Sequence, residues 1–221
     1  MVRLILAGFL VSCAVVVAPA AAAPPETCPP TCDRIPAAAW PAAESLPLYE
    51  VLHWPPLAEL ALPVLKPRFY TEELCSIPLP ADDPRGYVVA ARTTVPAPPG
   101  QWQLTAQILH WRGETWRGGQ LVTEAFDQAR AALHTCQEAA PQYSPSLTID
   151  RADRIAAVMT GPQLIRQYLV AHPQSSSIAE LVFSVTPPIG GSTAPWPASA
   201  DAVLLESMVV ALCEAYLSSC G

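Results

Sequence analysis

Asparagine is missing from this 221-residue chain, so it offers no N-glycosylation acceptor. Lysine is nearly missing as well, with Lys66 the single example. Twelve Lys and Arg against nineteen Asp and Glu leave a net charge of −7. No basic surface can be assembled for a phosphate backbone, which argues against nucleic acid as a partner. Charged residues make up only 14% while hydrophobic residues make up 51%, and that balance argues against global disorder. The chain also lacks a Gly-x-Ser-x-Gly elbow, a His-Glu-x-x-His pair, a phosphate-cradling glycine loop and a dinucleotide fingerprint. Its four histidines, His53, His110, His134 and His172, are far apart and none has metal-ligand spacing. No catalytic residue, metal or cofactor is therefore assigned.

What is present begins with a leader. Arg3 gives a small positive start, residues 4–17 are apolar, and Ala18-Pro19-Ala20 with Ala21 to Ala23 supplies small residues for cleavage. Residues 1–23 are expected to be a secretory signal peptide. Two alternatives are a lipoprotein acylated at Cys13, within Leu10-Val-Ser-Cys13, and an uncleaved N-terminal anchor. Membrane contact is expected only through this segment, if it is uncleaved or lipidated.

Beyond the leader remain Cys28, Cys32, Cys75, Cys136, Cys213 and Cys220, an even number that in an exported chain predicts three disulfides. The expected location is secreted or at the cell envelope.

Residues 24–67 are rich in proline and alanine and read as an extended, partly polyproline-like leader or linker that spaces the domain or wraps over it. Trp40, Trp54, Leu57 and Leu60 could pack parts of it onto the domain. Residues 68–221 read as one α+β domain. Strands are predicted over 87–95, 102–111, 147–149, 155–159, 164–170 and 178–185, from β-branched runs and period-two alternation. In the second of these, Trp102, Leu104, Ala106 and Ile108 alternate with glutamines and a threonine, the pattern of a half-buried strand. A turn at Gly118-Gly119 is read as opening a helix over 120–139, whose Val122, Ala125, Phe126, Ala129, Ala132, Leu133 and Cys136 share one face. A second helix over 199–220 is apolar almost all round, with Glu206, Ser207, Glu214 and Ser218 as its narrow polar stripe. Ser199 or Asp201 offers its N-cap. The expected architecture is an antiparallel sheet of about five to six strands packed against two main helices and stapled by disulfides.

Seven residues of unbroken helix would hold Cys213 and Cys220 roughly 10 Å apart at Cα, beyond the reach of about 7 Å that a disulfide allows. They could pair only if the helix ended between them. Cys136 lies on the core stripe of the first helix, so Cys136–Cys213 is expected as a helix-to-helix staple, with Cys75–Cys220 and a small Cys28–Cys32 loop.

The run Phe126-Asp-Gln-Ala-Arg-Ala-Ala-Leu-His-Thr-Cys136, a strand meander, and Met208-Val-Val-Ala-Leu-Cys213 resemble a family. They are similar in order to the extracellular sensor domains of kinase-H-type mycobacterial serine/threonine kinases and related exported actinobacterial proteins. The resemblance spans residues 70–220. It implies an antiparallel sheet with helices forming a cleft, tied by disulfides, that binds a ligand. No kinase domain accompanies it here, the Cys28–Cys32 pair and the Pro-rich leader are additional, and no catalytic residue carries over.

Two function classes follow. One is an exported, non-enzymatic binding domain for a small-molecule, glycan or protein ligand. Its candidate site is Leu109-His-Trp111-Arg112-Gly-Glu-Thr-Trp116-Arg117, because tryptophan beside arginine offers stacking and bidentate hydrogen bonds. The plainer expectation for such tryptophans is packing over the sheet. The other class is an exported thiol–disulfide redox protein using Cys28 and Cys32. Three intervening residues with two prolines and no following helix fit a structural disulfide better.

Overall fold

The computed structural model describes residues 28–29, 31–143, 145–187, 193–198 and 200–220. The expected leader, Cys13 and the cap candidate Ser199 lie outside the described residues. The strands are β1 (Leu62–Pro63), β2 (Val89–Val95), β3 (Gln103–His110), β4 (Ser146–Asp150), β5 (Arg154–Thr160), β6 (Leu164–His172) and β7 (Ser177–Val185). They form one antiparallel sheet in the order β1-β2-β3-β7-β6-β5-β4. The short helices α1 (Tyr49–Leu52), α2 (Leu57–Leu60) and α3 (Tyr70–Leu74) precede two long ones, α4 (Thr115–Ala139) and α5 (Ala200–Ala215). The class is α+β. The sheet has seven strands, one more than period counting reaches, because β1 is a two-residue edge pairing too short to show a period.

The two long helices cover opposite faces. On one face Leu104, Ala106, Ile108, Tyr168, Val170, Leu181 and Phe183 pack with Leu204, Leu205, Met208 and Leu212 of α5. On the other, Leu109, Ile155, Leu169 and Ile178 pack with Val122, Ala125, Phe126, Ala129 and Leu133 of α4. Alternation along each strand sends neighbours such as Tyr168 and Leu169 to different layers. The expected half-buried character of β3 is corrected accordingly: Gln107, on the supposedly polar side, is fully buried and donates from Nε2 to the Arg68 carbonyl at 3.2 Å.

Opposite faces also dictate the disulfides. Cys136 on α4 and Cys213 on α5 have the sheet between them, so the expected Cys136–Cys213 and Cys75–Cys220 pairs do not form. Cys75 instead joins Cys136, tying the end of α3 to the last turn of α4, with Cα atoms 5.6 Å apart. Cys213 joins Cys220 with Cα atoms 4.9 Å apart. This is reachable because α5 ends at Ala215 and the chain reverses through Ser218, whose φ is 64°. Cys28–Cys32 closes as expected, at 5.7 Å.

Helix α4 starts at Thr115, five residues before its expected first residue, and absorbs Gly118 and Gly119 in its opening turns. These glycines are close-approach positions, not turn formers. A Cβ on Gly118 would lie 2.2 Å from Ser176 Oγ, and one on Gly119 would lie 3.0 Å from the Pro173 carbonyl oxygen.

The Pro/Ala-rich segment lies over the α5 face, where Trp40, Leu46, Trp54 and Leu57 are buried in that core and Leu60 is exposed. Trp54 donates from Nε1 to the Pro47 carbonyl at 2.7 Å and meets Phe183 edge-on at 5.9 Å. Its first described residue is pinned to the end of α5: the Cys28 N–H donates to Ala215 O at 2.8 Å, and Leu217 N–H donates to Cys28 O at 3.0 Å.

Candidate functional site

The connection from β3 to α4 builds a surface pocket of about 380 Å³. Gly113, at φ 112°, turns the chain there, a conformation that suits glycine. Arg112 and Arg117 both line the pocket, with Trp111, Tyr87 and Leu121 among its walls. Both arginines are exposed. Among the described residues neither makes an ion pair or a side-chain hydrogen bond. In a chain of net charge −7, two guanidinium forks without protein partners can offer bidentate donors to an incoming carboxylate or phosphate.

The two tryptophans divide. Trp111 is only 2% exposed and belongs to the α4-side core. Its indole N–H donates to Pro84 O at 2.9 Å, and its backbone N–H donates to Ser176 O at 2.9 Å. For Trp111 the plainer expectation, packing over the sheet, is the outcome: it is a structural wall of the pocket. Trp116 is 64% exposed and lines an adjoining groove with Pro173 and Gln174. Its Nε1 donates to Glu114 Oε2 at 2.9 Å, which draws that carboxylate toward the indole.

Tyr87, read from sequence as the start of a strand, projects instead from a 3-10 turn at Pro84–Tyr87 and is almost fully exposed. The turn is fixed from below by Arg85, buried over the Phe69 ring at 4.9 Å. Arg85 reaches Glu72 Oε2 at 2.7 Å and Asp83 Oδ2 at 2.7 Å. Burial pushes the Asp83 carboxyl up, and the hydrogen bonds and charge of Arg85 outweigh it, holding that pKa below the usual value. Asp83-Pro84 is a turn signal that could have pointed to this feature, but nothing in the linear sequence links it to Arg112.

A second polar cluster is internal. Glu180 on β7, buried beneath α3, accepts from the Tyr70 N–H at 2.8 Å and from Gln167 Nε2 at 2.7 Å. Thr71 hydrogen-bonds Gln167 in turn. Burial pushes the Glu180 carboxyl up to about 7, against the pull of these hydrogen bonds and of the Arg92 charge. Glu180 is 2% exposed.

Cys28 is buried, and Cys32 is half-buried. No helix begins at either, so neither thiol gains the helix N-terminus that lowers the pKa of redox-active cysteines. Among the described residues no group of three or more His, Cys, Asp or Glu side chains is arranged to hold a metal ion, and no helix is long and apolar enough to cross a membrane. No protein-family model, curated protein or solved structure matches the chain.

Proposed function

We propose that this chain is an exported, non-catalytic binding domain of the cell envelope that takes an acidic ligand at the Arg112–Arg117 pocket. One observation carries it: two exposed guanidinium groups, neither with an ion pair among the described residues, line one concavity with a single carboxylate, Glu114, in an otherwise acidic protein. Tyr87 and Trp116 add exposed aromatic faces on either side of the α4 start, suited to a planar or saccharide ring beside the acidic group. The three disulfides support an oxidising compartment. The order of elements resembles that of extracellular sensor domains, which supports a binding role. The redox alternative at Cys28 and Cys32 has less support, since a buried sulfur held between backbone hydrogen bonds is poorly placed to attack a partner disulfide.

The test compares acidic and neutral saccharide fractions of the cell envelope for retention on immobilised protein, wild type against Arg112→Gln/Arg117→Gln. Retention of the acidic fraction by the wild type alone is expected. Equal retention by both proteins would remove the pocket from the account.

A further inference from the structure

Helix α5 presents a second, chemically different surface, on the sheet face opposite α4. Its outward side shows Val203 and Val210 at 61% and 44% exposure, followed by Leu217 at 55% just past the helix end. Val203 and Val210 are spaced seven residues apart on α5, which sets them along one line of the helix, and Leu217 lies beyond its end at Ala215. An apolar solvent-facing line is unusual on a helix whose opposite side already fills the core through Leu204, Leu205, Met208 and Leu212. Beside the line runs a groove of about 560 Å³, walled by Ala38, Trp40 and Ala42 from the N-terminal segment and by Val203 and Val210 from α5. The groove is also lined by Glu206 and Glu214 and, among the described residues, by no Lys or Arg. Glu206 pairs with Arg154 at 3.1 Å, while Glu214 is exposed and has no ion pair among the described residues.

We propose that this groove docks an amphipathic helix from a protein partner, with apolar side chains at seven-residue spacing flanked by Lys or Arg. The apolar line supplies the seam that a helix-in-groove complex uses, and Glu214, which has no ion pair among the described residues, supplies the charge complement that selects a basic flank. A second copy of this chain is disfavoured as occupant, because the lining of its matching groove offers, among the described residues, no lysine or arginine to pair with Glu214.

The experiment uses fluorescence anisotropy with the intact oxidised protein and two labelled synthetic peptides of about three heptads. Both carry leucine at the two core positions of each heptad, one with lysine and the other with glutamate at the flanking positions. The lysine peptide is expected to bind at least tenfold more tightly than the glutamate peptide. Val210→Glu should weaken it tenfold or more, and Glu214→Lys should narrow the difference between the peptides. Val210 is exposed, so an unchanged Tm in Val210→Glu separates lost docking from lost folding. Equal affinity for the two peptides, or wild-type binding by Val210→Glu, overturns the proposal. So does a wild-type dimer in light scattering that Val210→Glu converts to monomer, because the face would then belong to a second copy.

Discussion

Glu180 accepts a hydrogen bond from the backbone N–H of Tyr70 at 2.8 Å, joining residues 110 positions apart and fastening α3 to the centre of the sheet. The carboxyl is fully enclosed and has no arginine or lysine within ion-pairing distance among the described residues. Its pKa, raised by burial to about 7, stands above its ordinary value of 4.5. The folded state therefore holds a proton that the unfolded state releases. That contribution to stability is fully present below about pH 4.5 and is lost as pH rises through about 7, an effect on the order of a few kcal/mol. His172, whose pKa burial lowers, opposes this on acidification. The two are separated by subtraction: the Tm of the wild type relative to Glu180→Gln should fall between pH 5 and pH 8. A flat difference would mean that Glu180 is not protonated in the fold.

The tryptophans of the candidate site should behave oppositely. Trp111→Ala removes a buried ring and leaves the Pro84 carbonyl without its donor, and a loss of about 3–5 kcal/mol is expected in denaturant unfolding. Trp116→Ala, exposed on the surface, should change stability by less than about 0.5 kcal/mol. Similar losses in both would contradict the assignment of one to the core and the other to the rim.

The disulfides should differ in weight according to the loops they close. Cys75–Cys136 spans 61 residues and Cys28–Cys32 spans 4. Loop-closure entropy gives about 4 kcal/mol for the first and about 2 kcal/mol for the second. Paired Cys→Ser replacements, compared by midpoint denaturant concentration, should show the larger loss for the 75–136 pair.

Gly118→Ala is expected to destabilise by about 1–3 kcal/mol, because the added methyl would meet Ser176 Cβ at 2.5 Å and Oγ at 2.2 Å. Ser176 has φ 52°, a conformation that glycine adopts at no steric cost. Ser176→Gly removes both atoms and should restore most of the loss in the double variant. Additive losses in a double-mutant cycle would place the clash elsewhere.

Much of the sheet was legible because period two and period 3.6 are imposed by burial itself. Tyr168 and Val170 must face one layer if Leu169 faces the other, and Val122, Phe126 and Leu133 must share a side of α4. The cysteine partners were not legible for a related reason. Periodicity says that Cys136 faces a core, but not which side of the sheet its helix covers. Trp111 and Trp116 are five residues apart and alike in composition. What separates them is that β3 leads Trp111 into the core, while Trp116 stands on the outer side of the first turn of α4. The early start of α4 was hidden because Gly118 and Gly119 read as a turn, and their packing role depends on Ser176 and Pro173, more than fifty residues away. Tyr87 joins the pocket through a buried Arg85 network formed only in the fold.

The proposed binding role is tested most directly by a two-dimensional amide NMR titration of the oxidised protein with acidic envelope saccharides. Shift changes should cluster at Tyr87 and at Arg112 to Leu121, saturate with ligand, and vanish in Arg112→Gln/Arg117→Gln. Saturable changes confined to other surfaces, or identical changes in the double variant, would contradict it.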